Sequence, residues 1–131
     1  MSSATPRQPV RLAVRPAGVP APAGPYSPGV VVGELLFISG QGPFDETGTV
    51  VAGGFDEEVR AAFENLARIA AAAGGDLRNA VRIGGYIKDY DGFARYNEIM
   101  REYVGEPLPA RTTIPVPTLP ISIELDAVVA L

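Results

Sequence analysis

"FDEEVRAAFENLARIAAAAGGDLRNAVRIGGYIKDY", residues 55–90, carries two periods back to back. In its first part Val59, Phe63, Leu66, Ile69/Ala70 and Ala73 recur at three-to-four spacing, the stripe of a helix with one buried side. Asp56 stands where it can cap that helix, and Glu57 and Glu58 fall in the first turn, where the helix dipole favours acids. Gly74 supplies the stop. The period then changes. Val81, Ile83 and Ile87 alternate against Arg82, Tyr86 and Lys88, which predicts a half-buried strand over 80–90. Glycine weakens a strand interior, so Gly84 and Gly85 point to close packing by a helix or a neighbouring subunit.

Before this stretch, residues 1–9 read as a disordered tail, and "VRLAV", 10–14, as a first short strand. "RPAGVPAPAGPYSPG", 15–29, is too rich in proline to be helical and reads as a stiff extended arm. "VVVGELLFISG", 30–40, reads as two strands around a turn at Val32-Gly33-Glu34, and "DETG", 45–48, as another turn. After it, a second helix is expected from an Asp91 cap, with Phe93, Tyr96, Met100 and Tyr103/Val104 as its apolar stripe. "GEPLP", 105–109, breaks that helix. A strand from Arg111 to Val116 follows, then a turn through Leu119-Pro120 and a last strand from Ser122 to Ala130. There Ile123, Leu125, Ala127 and Val129 face one way, and Glu124, Asp126 and Val128 the other. The order suggests one α+β domain over residues 10–131, with two helices on one face of a sheet. The other face, mixed in character, favours burial by further copies of the chain.

Composition excludes whole classes of chemistry. The chain has 131 residues, with no Cys and no His. Disulfides, thiol nucleophiles, histidine triads and Cys- or His-ligated metals are therefore out. Carboxylates, Arg, Lys, Tyr, hydroxyls, backbone groups and water remain. Net charge is −4 with no basic cluster, which argues against a phosphate-held nucleic-acid partner. No stretch approaches the ~20 apolar residues of a membrane span. Arg7, Arg11 and Arg15 precede the first acid, Glu34, as in a transit peptide. Pro6, Pro9 and Pro16 would break the helix such a peptide needs, so a cytoplasmic location is expected.

Three groups of residues invite a functional reading. Arg111 stands alone at the head of the uncharged "PARTTIPVP", 109–117. Pairing of its strand with the last one as a hairpin would bring it near Glu124. That pair is either a structural salt bridge or a carboxylate clamp beside a water-activating acid. "GPYSPG", 24–29, either packs Tyr26 in a turn or delivers it to a pocket. "ISGQGP", 38–43, is a bulge or positive-φ turn, or else a close backbone approach to a ligand with Ser39 and the Gly40 amide as donors. The aromatics Phe93, Tyr96 and Tyr103 read as core, and Lys88, Asp89 and Asp91 as solvated charges.

The ordered combination GPY…SGQ…KD…N…PAR…E, running with gaps from about residue 10 to the end, resembles the RidA (YjgF) family of reactive-intermediate deaminases, also labelled the liver perchloric-acid-soluble protein family. The segments that carry it include "LLFISGQGPFDETG" (35–48), "YIKDYDGFARYNEIM" (86–100), "LPARTTIPV" (108–116) and "IELDAVVAL" (123–131). The resemblance implies a chorismate-mutase-like α+β domain with a mixed sheet, assembled as a homotrimer with clefts between subunits. It implies hydrolysis of 2-aminoacrylate-type enamines and imines to 2-keto acids and ammonia, of the 2-iminobutanoate/2-iminopropanoate deaminase kind, with no cofactor and no metal. By position, Arg111 matches the carboxylate-binding arginine and Glu124 the glutamate that positions water. Tyr26 matches the tyrosine lent to the cleft, and Ser39 and Gly40 the substrate contacts of "SGQ". Asn97 matches a structural or cleft-lining asparagine. Thr113 stands where many members carry Cys, at a position whose backbone serves the substrate. Pro115 and Pro117 depart from the family pattern and argue for an edge or interrupted strand. A trimer that binds small carboxylates without turnover is the alternative, and a ribonuclease, also attributed to some members, is disfavoured by the acidic charge and missing His.

Overall fold

The computed structural model describes residues 6–131. The expected tail lies outside the described residues as far as residue 5, and residues 6–10 are exposed and irregular. Six strands form one sheet: β1 (Leu12–Val14), β2 (Gly29–Val32), β3 (Leu35–Gln41), β4 (Ala80–Ile87), β5 (Ala110–Pro115) and β6 (Ile123–Ala130). Two helices, α1 (Phe55–Ala72) and α2 (Phe93–Met100), complete the domain. The sheet order is β1-β2-β3-β6-β4-β5. Every neighbouring pair is antiparallel except β4 with β5, which is parallel. The mixed α+β architecture is thus the expected one.

Topology explains why both helices share a face. β3 and β4 each run antiparallel to β6, so they are parallel to one another, and α1 is the crossover between them. α2 is the crossover from β4 to β5. Both crossovers step the same way along the sheet. Right-handed connections then place both helices on the same side. The buried strand residues on that side, Leu36, Ile38, Ile83, Ile87, Ile123, Leu125, Ala127 and Val129, close a core against Val59, Phe63, Leu66, Ile69 and Tyr96. Phe63 stacks on Tyr96 and on Tyr103, with centroids 6.1 and 5.1 Å away. β5 is an edge strand and ends at Pro115, as the prolines foretell.

Local expectations fail in three places, each for a visible reason. Asp56 does not cap α1. The cap is Gly54, and the Asp56 carboxylate instead accepts from Arg95 Nε and Nη2 at 3.0 and 2.8 Å, tying α1 to α2. That guanidinium holds the Asp56 carboxyl below its usual range. Asp91 does not cap α2 either. A 3-10 turn, Tyr90–Gly92, precedes the helix, and Asp89 caps that turn by accepting from the Asp91 amide. Val81 faces out and is 45% exposed, because β4 slips register between Ala80 and Arg82 and Ala80 takes the inward place. Two bounds also move: α2 stops at Met100, before Tyr103 and Val104, and β4 stops at Ile87. Gly74 ends α1 at φ 80°, where the Gly74 and Gly75 amides donate to the Ala71 and Ala70 carbonyls. "DETG" turns around Asp45, whose Oδ1 accepts from the Thr47 hydroxyl and amide and from the Thr49 amide. Among the described residues no helix is long and apolar enough to cross a membrane.

One buried polar residue joins α1 to the loop after β3. Asn65 is fully buried, and its Nδ2 donates to the Gly42 and Phe44 carbonyls at 3.1 and 2.9 Å. Its Oδ1 accepts from Arg68 Nη1. Asn65→Leu keeps the volume and strands both carbonyls. At about 1–3 kcal/mol for each stranded group, urea unfolding should show a loss of about 2–6 kcal/mol. Hydrogen exchange should rise first at residues 42–48. An unchanged midpoint would mean that the loop carbonyls find water without cost.

Candidate active site

Arg111 is the second residue of β5 and pairs with Ile83 of β4, so its side chain leaves the sheet on the helix side. There α2 receives it. The guanidinium carbon lies 4.7 Å from the Tyr96 ring centre and 5.3 Å from that of Phe93. Nη1 sits 3.4 Å from the Met100 sulfur. No carboxylate pairs with Arg111 among the described residues. A guanidinium stacked on aromatic faces keeps its N–H edges free for a planar anion. Thr113, two residues on, points the same way.

Tyr96 Oη, Asn97 Oδ1 and Thr113 Oγ1 are buried with no well-formed hydrogen bond, and the Tyr96 and Thr113 hydroxyls lie together over Gly85, within reach of the Arg111 charge. Gly85 makes the arrangement possible, since a Cβ there would stand 2.5 Å from Tyr96 Oη and 3.4 Å from Thr113 Oγ1. Burial pushes the Tyr96 phenol up, against the pull of the Arg111 charge, so the hydroxyl stays protonated. Beside Arg111 opens a cleft of about 290 Å³, lined by Asn97, Met100, Arg101, Val104, Leu108 and Pro109.

Glu124 builds a second cleft. It pairs with Tyr86 of β4 and projects from the face away from the helices. Its carboxylate lies over Gly40, where a Cβ would come within 2.8 Å of Oε2. The glycine in "SGQ" is therefore needed for space. Gly40 and Gly42 are not among the positive-φ glycines, so of the two conformations expected there the bulge is the one that forms, in β3 between Ile38 and Gln41. Tyr26 comes to this cleft from the proline arm, half exposed, with Oη accepting from the Ala23 amide at 3.2 Å. The cleft measures about 350 Å³ and is walled by Pro20, Pro22, Tyr26, Gly40, Phe44 and Glu124. Ser39 is already committed. Its hydroxyl donates to the Ser27 carbonyl at 2.6 Å and its amide to Pro28, which clips the arm to β3 and leaves the oxygen only a lone pair. Glu124 makes no hydrogen bond or ion pair among the described residues.

The sequence-derived residues thus fall into two groups, Arg111 with Asn97 and Thr113, and Glu124 with Tyr26, Gly40 and Ser39. The hairpin that would have joined Arg111 to Glu124 does not form. β4 lies between β5 and β6, with Arg111 beside Ile83 and Glu124 beside Tyr86, so the two residues are two strand spacings (about 10 Å) apart across the sheet, three residues apart along it, and on opposite faces. The salt-bridge reading falls with it. Reading by period missed Tyr96 and Phe93 as the seat of Arg111, because aromatics at helical spacing read as core. It also missed Asp126, whose Oδ2 accepts from Tyr86 Oη at 3.1 Å on the open face. The Asp126 charge pushes the Tyr86 phenol up. No group of three or more acidic, His or Cys side chains that could hold a metal occurs among the described residues.

The profile of the family described as Endoribonuclease L-PSP matches residues 17–131. A RutC family protein of Pyrococcus abyssi is 41% identical over 112 residues, covering 83% of this chain and 88% of the relative. The human 2-iminobutanoate/2-iminopropanoate deaminase is 37% identical over 122 residues, covering 91% and 89%. Among solved structures, RidA from an Antarctic Psychrobacter superposes with a TM-score of 0.85 at 34% identity, covering 92% of this chain and 99% of that one.

An unpartnered hydroxyl in the core contributes nothing to a ligand-free fold. Tyr96→Phe keeps the ring beneath Arg111, and urea unfolding should show it neutral, or more stable by up to about 1 kcal/mol. Gly85→Ala drives a methyl into Tyr96 Oη and should cost about 1–3 kcal/mol. A clear loss in Tyr96→Phe would show that the hydroxyl has a partner after all.

Proposed function

The chain belongs to the L-PSP family of which the RidA proteins are members, and on that footing we propose that it hydrolyses 2-imino acids and their enamine tautomers to 2-keto acids and ammonia. The observation that carries the reading is Arg111, a half-buried guanidinium held on two rings with no acid of its own. Such a group is a receptor for a carboxylate, and every 2-imino acid has one. A charge-assisted hydrogen bond there contributes about 1.5–3 kcal/mol.

The separation of Arg111 from Glu124 makes two copies part of the mechanism. Arg111 of one copy faces Glu124 and Tyr26 of a neighbour across an intersubunit cleft, in the homotrimer that the family resemblance implies. The apolar part of the open face supports burial there, since Val32, Leu35 and Phe37 stand exposed on β2 and β3. Arg111 orients the substrate by its carboxylate. The enamine takes a proton at its terminal carbon and becomes an iminium. Glu124 accepts a proton from water as the water oxygen bonds to the iminium carbon. Glu124 gives that proton to nitrogen and takes the proton of the carbinolamine hydroxyl as the C=O bond forms, the C–N bond breaks, ammonia leaves, and Glu124 returns its proton to solvent. Imines are electrophilic enough that positioning and one general base suffice.

The endoribonuclease in the family description is the weaker reading. The chain has no His to serve as acid or base in RNA cleavage, and its net charge of −4 works against a polyphosphate partner. A cytoplasmic location goes with the deaminase reading, and cell fractionation tests it.

The test is ammonia release from an imino acid generated in situ by an amino-acid oxidase. Arg111→Ala should lower kcat/KM about tenfold to a hundredfold, the loss of one charged hydrogen bond. Glu124→Gln should lower kcat about a hundredfold with KM nearly unchanged, as for loss of a general base. Gly40→Ala, which displaces the Glu124 carboxylate, should follow Glu124→Gln. No acceleration with several imino acids would overturn the reading in favour of carboxylate binding without turnover.

A further inference from the structure

The Arg111 cleft holds a second cation. Arg101 follows Asn97 by one turn at the end of α2, so both present to the same hollow as Arg111. Arg101 makes no ion pair among the described residues. No Asp or Glu lines the cleft. In a chain of net charge −4, two guanidiniums left without acids in one small hollow are a local reversal of the overall field. Between them the wall is apolar, formed by Met100 and Val104, both buried, and by Leu108. Asn97 adds a buried carbonyl oxygen with no donor.

Resting on the deaminase reading, we infer that the favoured substrates are short 2-imino dicarboxylates. Arg111 takes the carboxylate next to the imine carbon, the methylenes lie along Met100 and Val104, and Arg101 takes the distal carboxylate. At about 290 Å³ the cleft sits at the small end of ligand sites, which limits the chain between the two carboxylates to a few atoms. Distal recognition changes no bond order. It adds binding in both ground and transition states, so its signature is selectivity between substrates.

The experiment compares 2-iminoglutarate and 2-iminobutanoate, each generated in situ by an oxidase, in the wild type, Arg101→Ala and Arg101→Glu. Within each variant the ratio of the two kcat/KM values cancels any loss of folded protein. The ratio should favour the dicarboxylate in the wild type, fall about tenfold or more in Arg101→Ala, and fall further on charge reversal. A second arm needs no turnover. 2-Oxoglutarate should protect the wild type against heat better than 2-oxobutanoate or inorganic phosphate, and the advantage should vanish in Arg101→Ala. Turnover of 2-iminobutanoate with no dicarboxylate preference overturns the inference and leaves the deaminase reading standing. A loss in Arg101→Ala that is equal for both substrates, or equal protection by phosphate, also overturns it. No turnover of either imine, with 2-oxoglutarate protection dependent on Arg101, sinks the deaminase reading and keeps the dicarboxylate site.

Discussion

β4 and β5 are parallel, and a parallel pair can be joined only by a crossover that passes over a face of the sheet. α2 is that crossover, and its place on the strands it connects decides what lies under Arg111. Tyr96 comes down over Gly85, where only a glycine leaves room for its hydroxyl. Its ring then becomes the floor of the guanidinium on the neighbouring strand. A side chain on an antiparallel hairpin would have met its partner across a tight turn. On a parallel edge strand it meets a helix, and Arg111 therefore faces rings and a thioether instead of Glu124.

The same constraint divides what could be read in sequence from what could not. Each element was legible, because a helix stripe and a strand alternation are local properties: the α1 stripe, the β6 alternation and the turn at Gly33 all lie within a few residues of one another. The prolines after Arg111 marked β5 as an edge because a missing N–H is local too. Pairing order is not local. Nothing in "PARTTIPVP" or "IELDAVVA" says that residues 80–87 come between them, and the sign of the Arg111–Glu124 relation turned on that. Asp56 and Asp91 were misread as caps for a related reason. An acid at a helix start satisfies capping rules by itself, but Arg95 of another helix outcompetes the end amides for Asp56. Asp89 reaches the Asp91 amide one 3-10 turn earlier.

Absent side chains shape the open face as much as present ones. Glu124 occupies the space over Gly40, and Asp126 the space over Gly84, where a Cβ would collide with Oδ1. Glycine in a strand interior weakens the ladder. Here it lets two carboxylates lie flat against the sheet where larger neighbours would force them outward. Tyr86 then fixes the second of them through its hydroxyl, in register beside the first. The face that looked merely mixed in sequence is divided: apolar toward β2 and β3, acidic and hydrogen-bonded toward β6 and β4.

That division has a consequence for assembly. One surface of the chain presents unpaired guanidiniums at its β5 edge, and another presents unpaired carboxylates on the opposite sheet face. A surface and its complement at different places on one molecule make a heterologous contact, which closes into a ring or runs on as a filament. In the proposed trimer opposite charges would steer such a contact and fix its register, and the exposed Val32, Leu35 and Phe37 would supply area to bury. Arg111 and Glu124 are useless to one another within a chain because β4 separates them. In the proposed trimer they would meet only across the cleft between copies, so the substrate carboxylate and the attacking water would lie between a cation from one chain and a carboxylate from another.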